Sequence, residues 1–202
     1  GIQGEELPLK MAACAKHYIG YGASEGGRDY HKTEISDYSL RNYYLKAFKS
    51  AVDSGVATVM SSFNEISGEP TSSSKYLLTD VLRDELGFDG FVVSDWGAII
   101  QLVRQGVAED AKDAARLSIN AGLDMDMVDN CYSDYLEELL NEGKVSMETI
   151  DESVLRVLRI KLRLNLFEKP FRENKEYDTK AHLARARELA RECSVLLKNS
   201  NN

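Results

Sequence analysis

The sequence has few cysteines, and their spacing excludes the usual cysteine chemistry. Cys14, Cys131 and Cys193 are the only three in 202 residues, and long stretches separate them. Cysteine metal sites place pairs at short spacing, and disulfide scaffolds use even numbers. A metal-ligand cluster and a phosphate-binding glycine loop are also missing from the sequence, so we expect no metal and no cofactor. Cys14 lies in an apolar run and is expected to be a small buried residue.

Two further absences concern hydrophobic runs and positive charge. No window holds the roughly 18 uninterrupted apolar residues of a membrane-spanning helix, and no basic segment followed by an apolar one marks a signal peptide. The formal net charge of -8 and the sequence pI of about 5.0 disfavour nucleic acid and anionic membrane surfaces as partners. The chain begins at Gly1 rather than at methionine, so we expect it to be part of a longer polypeptide, and no compartment is indicated.

The sequence does contain an alternation of strand and helix patterns. Short apolar runs predict strands at 11–15, 56–60, 91–93 and 123–127. Apolar residues at helical spacing predict helices at 39–53, 78–86, 111–120, 132–141 and from Thr149 onward. Thr149 and Glu152 have the spacing of a capping box at the start of this last helix. Alternation of this kind is typical of parallel strands covered by helices, and it predicts an α/β fold.

Two architectures fit the alternation, an open doubly wound sheet and a (β/α)8 barrel of the TIM type. A complete barrel needs eight strands and about 250 residues, and only about four strands can be read from this chain. We therefore expect a partial barrel over residues 1–168, its later half only, with the outer helices. A linker and a helix are expected over 169–193. The strand-like run Ser194 to Lys198 predicts that 194–202 is the truncated start of a second α/β domain.

Polar side chains follow each of the first three predicted strands. Lys16 and His17 follow the first, residues 61–64 follow the second, and Asp95 and Trp96 follow the third. The carboxyl ends of parallel strands meet at one edge of the sheet, where α/β proteins bind their ligands. The competing interpretation of Asp95 is a helix N-cap, but a lysine cannot cap a helix N-terminus. We therefore expect a functional site around Asp95.

The residue types at this edge suit a sugar ligand. Charged groups such as Lys16, His17 and Arg28 hold several hydroxyls in a fixed orientation, and Trp96 offers an apolar face to the C–H side of a sugar ring. A carboxylate can also attack an anomeric carbon and form a covalent glycosyl-enzyme. Asp95 is the candidate for that role.

Long, ordered motifs then make a family resemblance visible. They are AKHY at 15–18, GGRD at 26–29, MSSFNEISGEP at 60–70, LLTDVLRDELGFDGFVVSDWGA at 77–98, AGLDMDM at 121–127, IDESV at 150–154 and LLKN at 196–199. With these segments the chain resembles glycoside hydrolase family 3, and within it the β-glucosidase/β-xylosidase branch. The agreement covers nearly the whole chain.

The resemblance implies a retaining, exo-acting enzyme that removes terminal non-reducing β-D-glucosyl or β-xylosyl residues from a β-linked oligosaccharide or glycoside. Asp95 matches the family nucleophile. The resemblance also implies substrate-binding roles for six residues, Lys16, His17, Arg28, Met60, Phe63 and Trp96. The position of Phe63 is often tyrosine in the family, with a hydroxyl that can reach the nucleophile, and phenylalanine cannot make that hydrogen bond.

Two parts of the family's machinery are expected outside this chain. The resemblance implies that the first barrel strands precede Gly1 and that a second domain, which supplies the acid/base glutamate, follows Asn202. A retaining mechanism needs two carboxyl groups about 5–5.5 Å apart, and only Asp95 is identified. We therefore expect the isolated chain to be a catalytically inert sugar-binding fragment at most.

Two alternative activities remain open. The β-N-acetylhexosaminidase branch of the same family uses an Asp–His pair as acid/base, and Asp29 and His31 offer such a pair. In that branch, however, Phe-Pro-Gly-His-Gly follows Lys-His, and here the sequence is Tyr-Ile-Gly-Tyr-Gly. A lyase would instead use Lys16 as a Schiff base, which requires burial of its amine.

Overall fold

The computed structural model describes residues 3, 7, 10–171 and 178–200. The chain divides into two compact units, Gly1–Glu168 and Lys169–Asn202. Strands and helices alternate along the larger unit, and the α/β class expected from the sequence is confirmed. Among the described residues, no helix combines the length and apolarity needed to cross a membrane.

Five short strands are found among the described residues of the larger unit. They are β1 (Cys14–Tyr18), β2 (Thr58–Ser61), β3 (Glu65–Ile66), β4 (Glu69–Pro70) and β5 (Phe91–Val93). Strands β1, β2 and β5 form a parallel sheet in that order, and β3 and β4 form an antiparallel hairpin. Val59 in the central strand pairs with Ala15 on one side and with Val92 on the other.

Helices connect the parallel strands, as parallel pairing requires. The α-helices of the described residues are α1 (Asp37–Ser39), α2 (Leu45–Asp53), α3 (Gln101–Arg104), α4 (Ala111–Ala121), α5 (Cys131–Asn141), α6 (Met147–Arg163) and α7 (Thr179–Glu192). A π-helical turn, Leu40–Tyr44, joins α1 to α2, and a second π-helical segment, Tyr76–Glu85, precedes β5. The predicted helices at 39–53 and 78–86 therefore exist, but with wider turns than the sequence pattern indicates.

The hydrophobic core lies between the sheet and its helices. Val59 and Val92 are fully buried, and Leu78 and Leu82 of the second π-helical segment belong to the same buried cluster. Burial of each such side chain contributes about 1.5–3 kcal/mol. Gly90 allows β5 to lie close to β2, because a Cβ atom at this position would be 2.1 Å from the carbonyl oxygen of Ala57.

The opposite face of the sheet is partly open. Met60, Phe91 and Val93 are half-buried there, and Lys16 of β1 is exposed. Cys14 is exposed as well. The expectation that Cys14 is buried is therefore wrong, because its apolar neighbours in sequence do not determine which face of the strand is covered.

Two predicted strands of the larger unit differ from the structure. The first strand begins at Cys14 rather than at residue 11. The strand predicted at 123–127 is reduced to one parallel bridge between Met125 and Val93. The reason is the side chain of Asp124. Its Oδ2 accepts the backbone N–H of Val92 at 2.7 Å, so this N–H of β5 does not pair with a backbone carbonyl of a neighbouring strand.

The start of α6 also differs from the sequence prediction. Ser146 is the N-cap residue, and its hydroxyl accepts the backbone N–H of Thr149 at 3.1 Å. Glu152 pairs instead with Arg156, one turn further along, at 2.9 Å. The capping box predicted at Thr149 and Glu152 is therefore wrong by one helical turn, since Ser146 offers the same side-chain oxygen earlier in the chain.

The smaller unit contains α7, which begins after Asp178. The Asp178 carboxylate accepts the backbone N–H of Ala181 at 2.9 Å, as an N-cap residue does. Residues 194–198, predicted to start a strand, belong to no strand of the described part of the chain. Most of the linker predicted before α7, residues 172–177, lies outside the described residues.

Candidate active site

The carboxyl ends of β1 and β5 bring His17 and Asp95 together. The pairing of β1 with β2 is irregular between Ala15 and Tyr18, a type of bulge that re-aims side chains next to functional sites. His17 lies in this irregular stretch, and its Nε2 is 3.3 Å from Oδ2 of Asp95. The convergence predicted from the strand ends is therefore found for these two residues.

The two carboxylate oxygens of Asp95 have different surroundings. Oδ1 accepts the backbone N–H of Trp96 at 2.7 Å. Oδ2 is buried beside His17 but accepts no hydrogen bond from the described residues, because the contact to Nε2 lacks hydrogen-bond geometry. The side chain as a whole is 12% exposed. A carboxylate oxygen that is shielded from water and unpaired keeps its lone pairs, and such groups require an explanation.

The backbone around Asp95 is fixed on both sides. The N–H of Ser94 donates to the carbonyl oxygen of Met125 at 2.9 Å, and the Ser94 hydroxyl accepts the N–H of Met127 at 2.9 Å. On the other side, the carbonyl oxygen of Asp95 accepts the N–H of Ala98 at 3.1 Å. The carboxylate is therefore presented from a rigid turn.

The helix-cap interpretation of Asp95 is wrong. The backbone N–H groups of Ile99 and Ile100 lie in the turn that leads into α3. Both donate to Oδ2 of Asp129 at 3.0 Å. Asp129 comes from the loop after Met125 and thus performs the capping that a post-strand aspartate would otherwise supply. Burial and the neighbouring charge of Asp126 raise the pKa of Asp129.

The electrostatics around His17 favour its neutral form. Burial lowers the pKa of His17 below its ordinary value of 6.5, and the positive charge of Lys16 lowers it further. The carboxylates of Asp95 and Asp29 act in the opposite direction, but more weakly. A neutral imidazole has one N–H donor and one acceptor nitrogen, so His17 can pair with a carboxylate or with a sugar hydroxyl without carrying a charge.

The two predicted cationic residues are placed less closely than His17. Lys16 is exposed on the partly open face of the sheet, within electrostatic reach of His17. Arg28 is exposed in the loop after β1, and no ion pair within the described ranges joins it to Asp95. The structure thus brings Lys16 to the site edge and leaves Arg28 in a loop without a direct link to the carboxylate.

The three predicted apolar residues line the same end of the sheet. Met60 is half-buried and pairs with Val93, two residues before Asp95. Phe63 is buried in the loop after β2, and Trp96 is 68% exposed. As expected, Phe63 has no hydroxyl to offer Asp95, and Oδ2 remains without that donor.

Several residues of this site were not predicted from the sequence. The ring of Tyr21 contacts His17 at a centroid distance of 5.3 Å, and the ring of Tyr30 contacts Phe63 at 4.5 Å. Gln101 and Gln105, in and directly after α3, both donate to the carbonyl oxygen of Phe63, at 3.3 and 3.0 Å. The sequence does offer a signal for these two tyrosines, because they are large aromatic residues in the otherwise polar, glycine-rich loop at 20–31.

Asp29 and His31, named for the hexosaminidase alternative, contact other residues in the structure. Nδ1 of His31 lies 3.6 Å from Oε2 of Glu25, and Oδ1 of Asp29 accepts the N–H of Tyr30 at 3.1 Å. No hydrogen bond or ion pair joins Asp29 to His31 within the part of the chain that the structure describes. Lys16 is exposed rather than buried, which does not fit a Schiff-base lysine.

This geometry defines a class of protein, an α/β protein that presents reactive and ligand-binding groups at the carboxyl edge of a parallel sheet. No group of three or more potential metal ligands occurs among residues 10–171 and 178–200. The sequence profile of the glycosyl hydrolase family 3 N-terminal domain matches residues 1–160. The chain belongs to glycosyl hydrolase family 3.

Two similar glycosidases support this family membership. The chain is 44% identical over 198 residues to a periplasmic beta-glucosidase of Salmonella typhimurium, covering 94% of this chain and 26% of the relative. It is 36% identical over 205 residues to a beta-xylosidase of Formosa agariphila, covering 95% of this chain and 28% of the relative. The chain thus spans little more than a quarter of the length of either relative.

Solved structures of similar proteins share the fold. A crystal structure of a beta-glucosidase from Listeria innocua in complex with glucose has a TM-score of 0.93 and 40% sequence identity. The match covers 99% of this chain and 29% of that protein. The chain is therefore similar to the N-terminal domain of family 3 beta-glucosidases along essentially its whole length.

Proposed function

We propose that this chain carries the nucleophile of a retaining, exo-acting β-glycosidase that removes terminal non-reducing β-D-glucosyl or β-xylosyl residues. The observation that carries the proposal is the state of Asp95. One of its oxygens is held by the N–H of Trp96, and the other is buried without a hydrogen bond. Because Asp129 performs the capping of the following turn, a structural role does not account for Asp95.

The proposed reaction has two steps that balance around the anomeric carbon. In the first, the Asp95 carboxylate forms a bond to the anomeric carbon while the bond to the leaving-group oxygen breaks, and an acid protonates that oxygen. In the second, water attacks the same carbon, a base takes its proton, and Asp95 leaves as a carboxylate. The configuration is inverted twice and therefore retained. The acid/base group is proposed to lie in another part of the polypeptide, as the family resemblance implies.

The remaining site residues would bind the sugar. Lys16 and the neutral His17 lie where they can hold hydroxyls of the cleaved sugar next to Asp95. Met60 and Phe63 line the apolar wall, and the exposed indole of Trp96 is free to cover a sugar face. Arg28, exposed in the loop after β1, is proposed to bind the same sugar.

The complete polypeptide is proposed to close a (β/α)8 barrel around this sheet. Three parallel strands, the bridge at Met125 and the partly open face at Met60 and Phe91 fit one part of such a barrel, which leaves no free sheet edge when it is closed. The preceding barrel half and a following second domain are the proposed partners of this chain. Its preferred substrate class is a β-linked oligosaccharide or glycoside.

The nucleophile is tested by trapping in the complete polypeptide that carries this chain. 2-Deoxy-2-fluoro-β-D-glucosyl fluoride should form a stable ester on Asp95, which peptide mass spectrometry locates. Asp95→Asn should abolish the label, and Asp53→Asn, which removes an exposed carboxylate paired with Lys49, should retain it. A label on another residue would overturn the assignment of Asp95.

The substrate class is tested by comparing aryl glycosides. Hydrolysis of aryl β-D-glucoside or β-D-xyloside, with retention of configuration seen by NMR, supports the proposal. Preferential hydrolysis of aryl β-N-acetylglucosaminide would replace it with the hexosaminidase activity. Borohydride-dependent inactivation on Lys16 in the presence of a carbonyl substrate would point to a lyase instead.

A further inference from the structure

A continuous row of aromatic rings leads away from the His17–Asp95 pair. The Tyr21 ring meets the His17 ring edge-on at a centroid distance of 5.3 Å. The Phe63 ring is 5.9 Å from Tyr21, and the Tyr30 ring is 4.5 Å from Phe63. These separations are those of favourable aromatic pairs, so the row is a single wall that begins at the carboxylate and ends at Tyr30.

The outer end of this wall is held in a costly conformation. Tyr30 has a φ of 62°, in the left-handed region that bulky residues avoid. Tyr30 is nevertheless 53% exposed, so the strain is not offset by burial. The loop is closed by the N–H of Glu25, which donates to the carbonyl oxygen of Lys32 at 2.9 Å. Strain that burial does not explain is a feature of ligand-binding positions.

Hydrogen bonds hold the backbone of the wall at Phe63. The Phe63 carbonyl accepts hydrogen bonds from both Gln101 and Gln105, which lie in the helical segment directly after the Asp95 turn. This arrangement couples the loop that carries Phe63 to the turn that carries Asp95. In addition, the charge of Asp29, the residue before Tyr30, reaches His17. The tip of the loop is therefore close enough to the site to take part in binding.

We propose that Tyr30 is a stacking platform for the leaving group of the substrate, a pyranose ring that presents its C–H face to the exposed side of the tyrosine ring. The position of Tyr30 favours contact with the leaving group rather than with the cleaved sugar. His17 lies next to Asp95 at one end of the row of rings, whereas Tyr21 and Phe63 stand between His17 and Tyr30 in the sequence of ring contacts. This inference rests on the proposed function, because a leaving group exists only if Asp95 attacks a glycoside.

The test compares two substrates that differ only in the size of the leaving group. In the complete polypeptide, Tyr30→Ala should raise KM for a β-linked glucose disaccharide by about five- to tenfold, the loss expected for one stacking contact. The kcat/KM for methyl β-D-glucoside, whose leaving group has no ring, should stay within about twofold. Tyr30→Phe keeps the ring and should behave like the wild type with both substrates.

Tyr38→Ala is the matched control. Tyr38 is exposed to 69% and has no ring contact among the described residues, and its loss should leave both substrates unchanged. An equal loss with both substrates in Tyr30→Ala, or no loss with the disaccharide, would overturn the platform. Thermal melting of Tyr30→Ala and Tyr30→Phe checks folding, and the ring-retaining variant keeps the comparison informative if the alanine variant is unstable.

Failure of the platform can be told apart from failure of the proposed function. The 2-fluoro glucosyl fluoride has no ring in its leaving group, so Tyr30→Ala should be labelled on Asp95 at the wild-type rate. Absence of the Asp95 label in the wild type would refute the proposed function. Normal labelling with unchanged disaccharide kinetics in Tyr30→Ala would refute the platform alone.

Discussion

Asp129 caps the turn after strand β5 in place of Asp95. Its Oδ2 accepts the N–H groups of Ile99 and Ile100 at 3.0 Å each, and the Asp95 carboxylate lies just before that turn with one oxygen unused. Asp129 therefore has the structural role in this turn, and Asp95 has the proposed chemical role. Substitution of Asp129 can test whether the two are linked.

Asp129→Ala should destabilise the fold by about 1–2 kcal/mol, the usual cost of losing an N-cap, and should also lower glycosidase activity of the complete polypeptide by disturbing the Asp95 turn. Urea denaturation and steady-state kinetics measure the two effects. Asp110→Ala removes the cap of α4, where Oδ1 accepts the N–H of Asp113 at 2.8 Å. This control should cost similar stability and leave activity per folded molecule intact. Equal activity in the two variants would contradict the link between Asp129 and the Asp95 turn.

Asp124 is expected to be among the most sensitive positions for stability. Its side chain is fully buried, its Oδ2 pairs with Arg83, and its Oδ1 accepts a hydrogen bond from Arg156 at 2.9 Å. Asp124→Ala leaves the buried Arg83 without its carboxylate partner and should cost about 3–5 kcal/mol in the free energy of unfolding. Denaturant titration of the chain measures this loss.

An exposed ion pair supplies the comparison for Asp124. Asp53 pairs with Lys49 on the surface of α2, and Asp53→Ala should cost at most about 0.5 kcal/mol. A similar loss of stability in Asp124→Ala and Asp53→Ala would contradict the prediction that the buried ion pairs of Asp124 stabilise the fold.

His17 should make the stability of the fold depend on pH on the acid side. Its pKa is lowered in the folded chain by burial and by Lys16, so the unfolded chain binds a proton at a pH where the folded chain does not. The stability that depends on neutral His17 is fully present above a pH of about 6.5, and it is lost as the pH falls through the pKa of His17 in the folded chain. His17→Gln should flatten this part of the pH profile of the free energy of unfolding.

His31→Gln serves as the control for this profile. It changes a histidine that lies beside Glu25 rather than beside Asp95, and it should leave the acid-side slope from His17 in place. A wild-type slope in His17→Gln would show that the slope arises elsewhere in the chain.

The isolated 202-residue chain should have no measurable glycosidase activity. A retaining mechanism needs a second carboxyl group about 5–5.5 Å from the nucleophile, and in the proposed function that group comes from another part of the polypeptide. An aryl β-D-glucoside assay of the chain, with the complete polypeptide as the positive control, measures this. Sustained turnover by the chain alone would contradict the prediction.

The sequence was most informative where local chemistry and position coincide. The run Phe91 to Val93 is short, apolar and bounded by glycine, and it forms the predicted strand with Asp95 at its carboxyl end. The approach of His17 to Asp95 follows from parallel pairing, and the irregular stretch of β1 at His17 adds to it. These two features depend on neighbours in sequence and on a general rule of α/β folds, so they can be predicted without coordinates.

Features that depend on distant segments were out of reach. Asp129 caps a turn that lies far earlier in the chain, and nothing in its own surroundings in sequence indicates the target. Asp124 lies in a run that reads as a strand, and its carboxylate replaces part of the ladder. Cys14 has apolar neighbours but faces the open side of the sheet, and strand pattern alone does not show which face is covered.

The clamp on Ser94 determines which partner moves during the proposed reaction. Ser94 is bonded to Met125 and Met127, and the Asp95 backbone is bonded to Ala98, so hydrogen bonds hold the main chain on both sides of the proposed nucleophile. In the proposed reaction we therefore expect the anomeric carbon to move further than the main chain of Asp95 as the new bond forms.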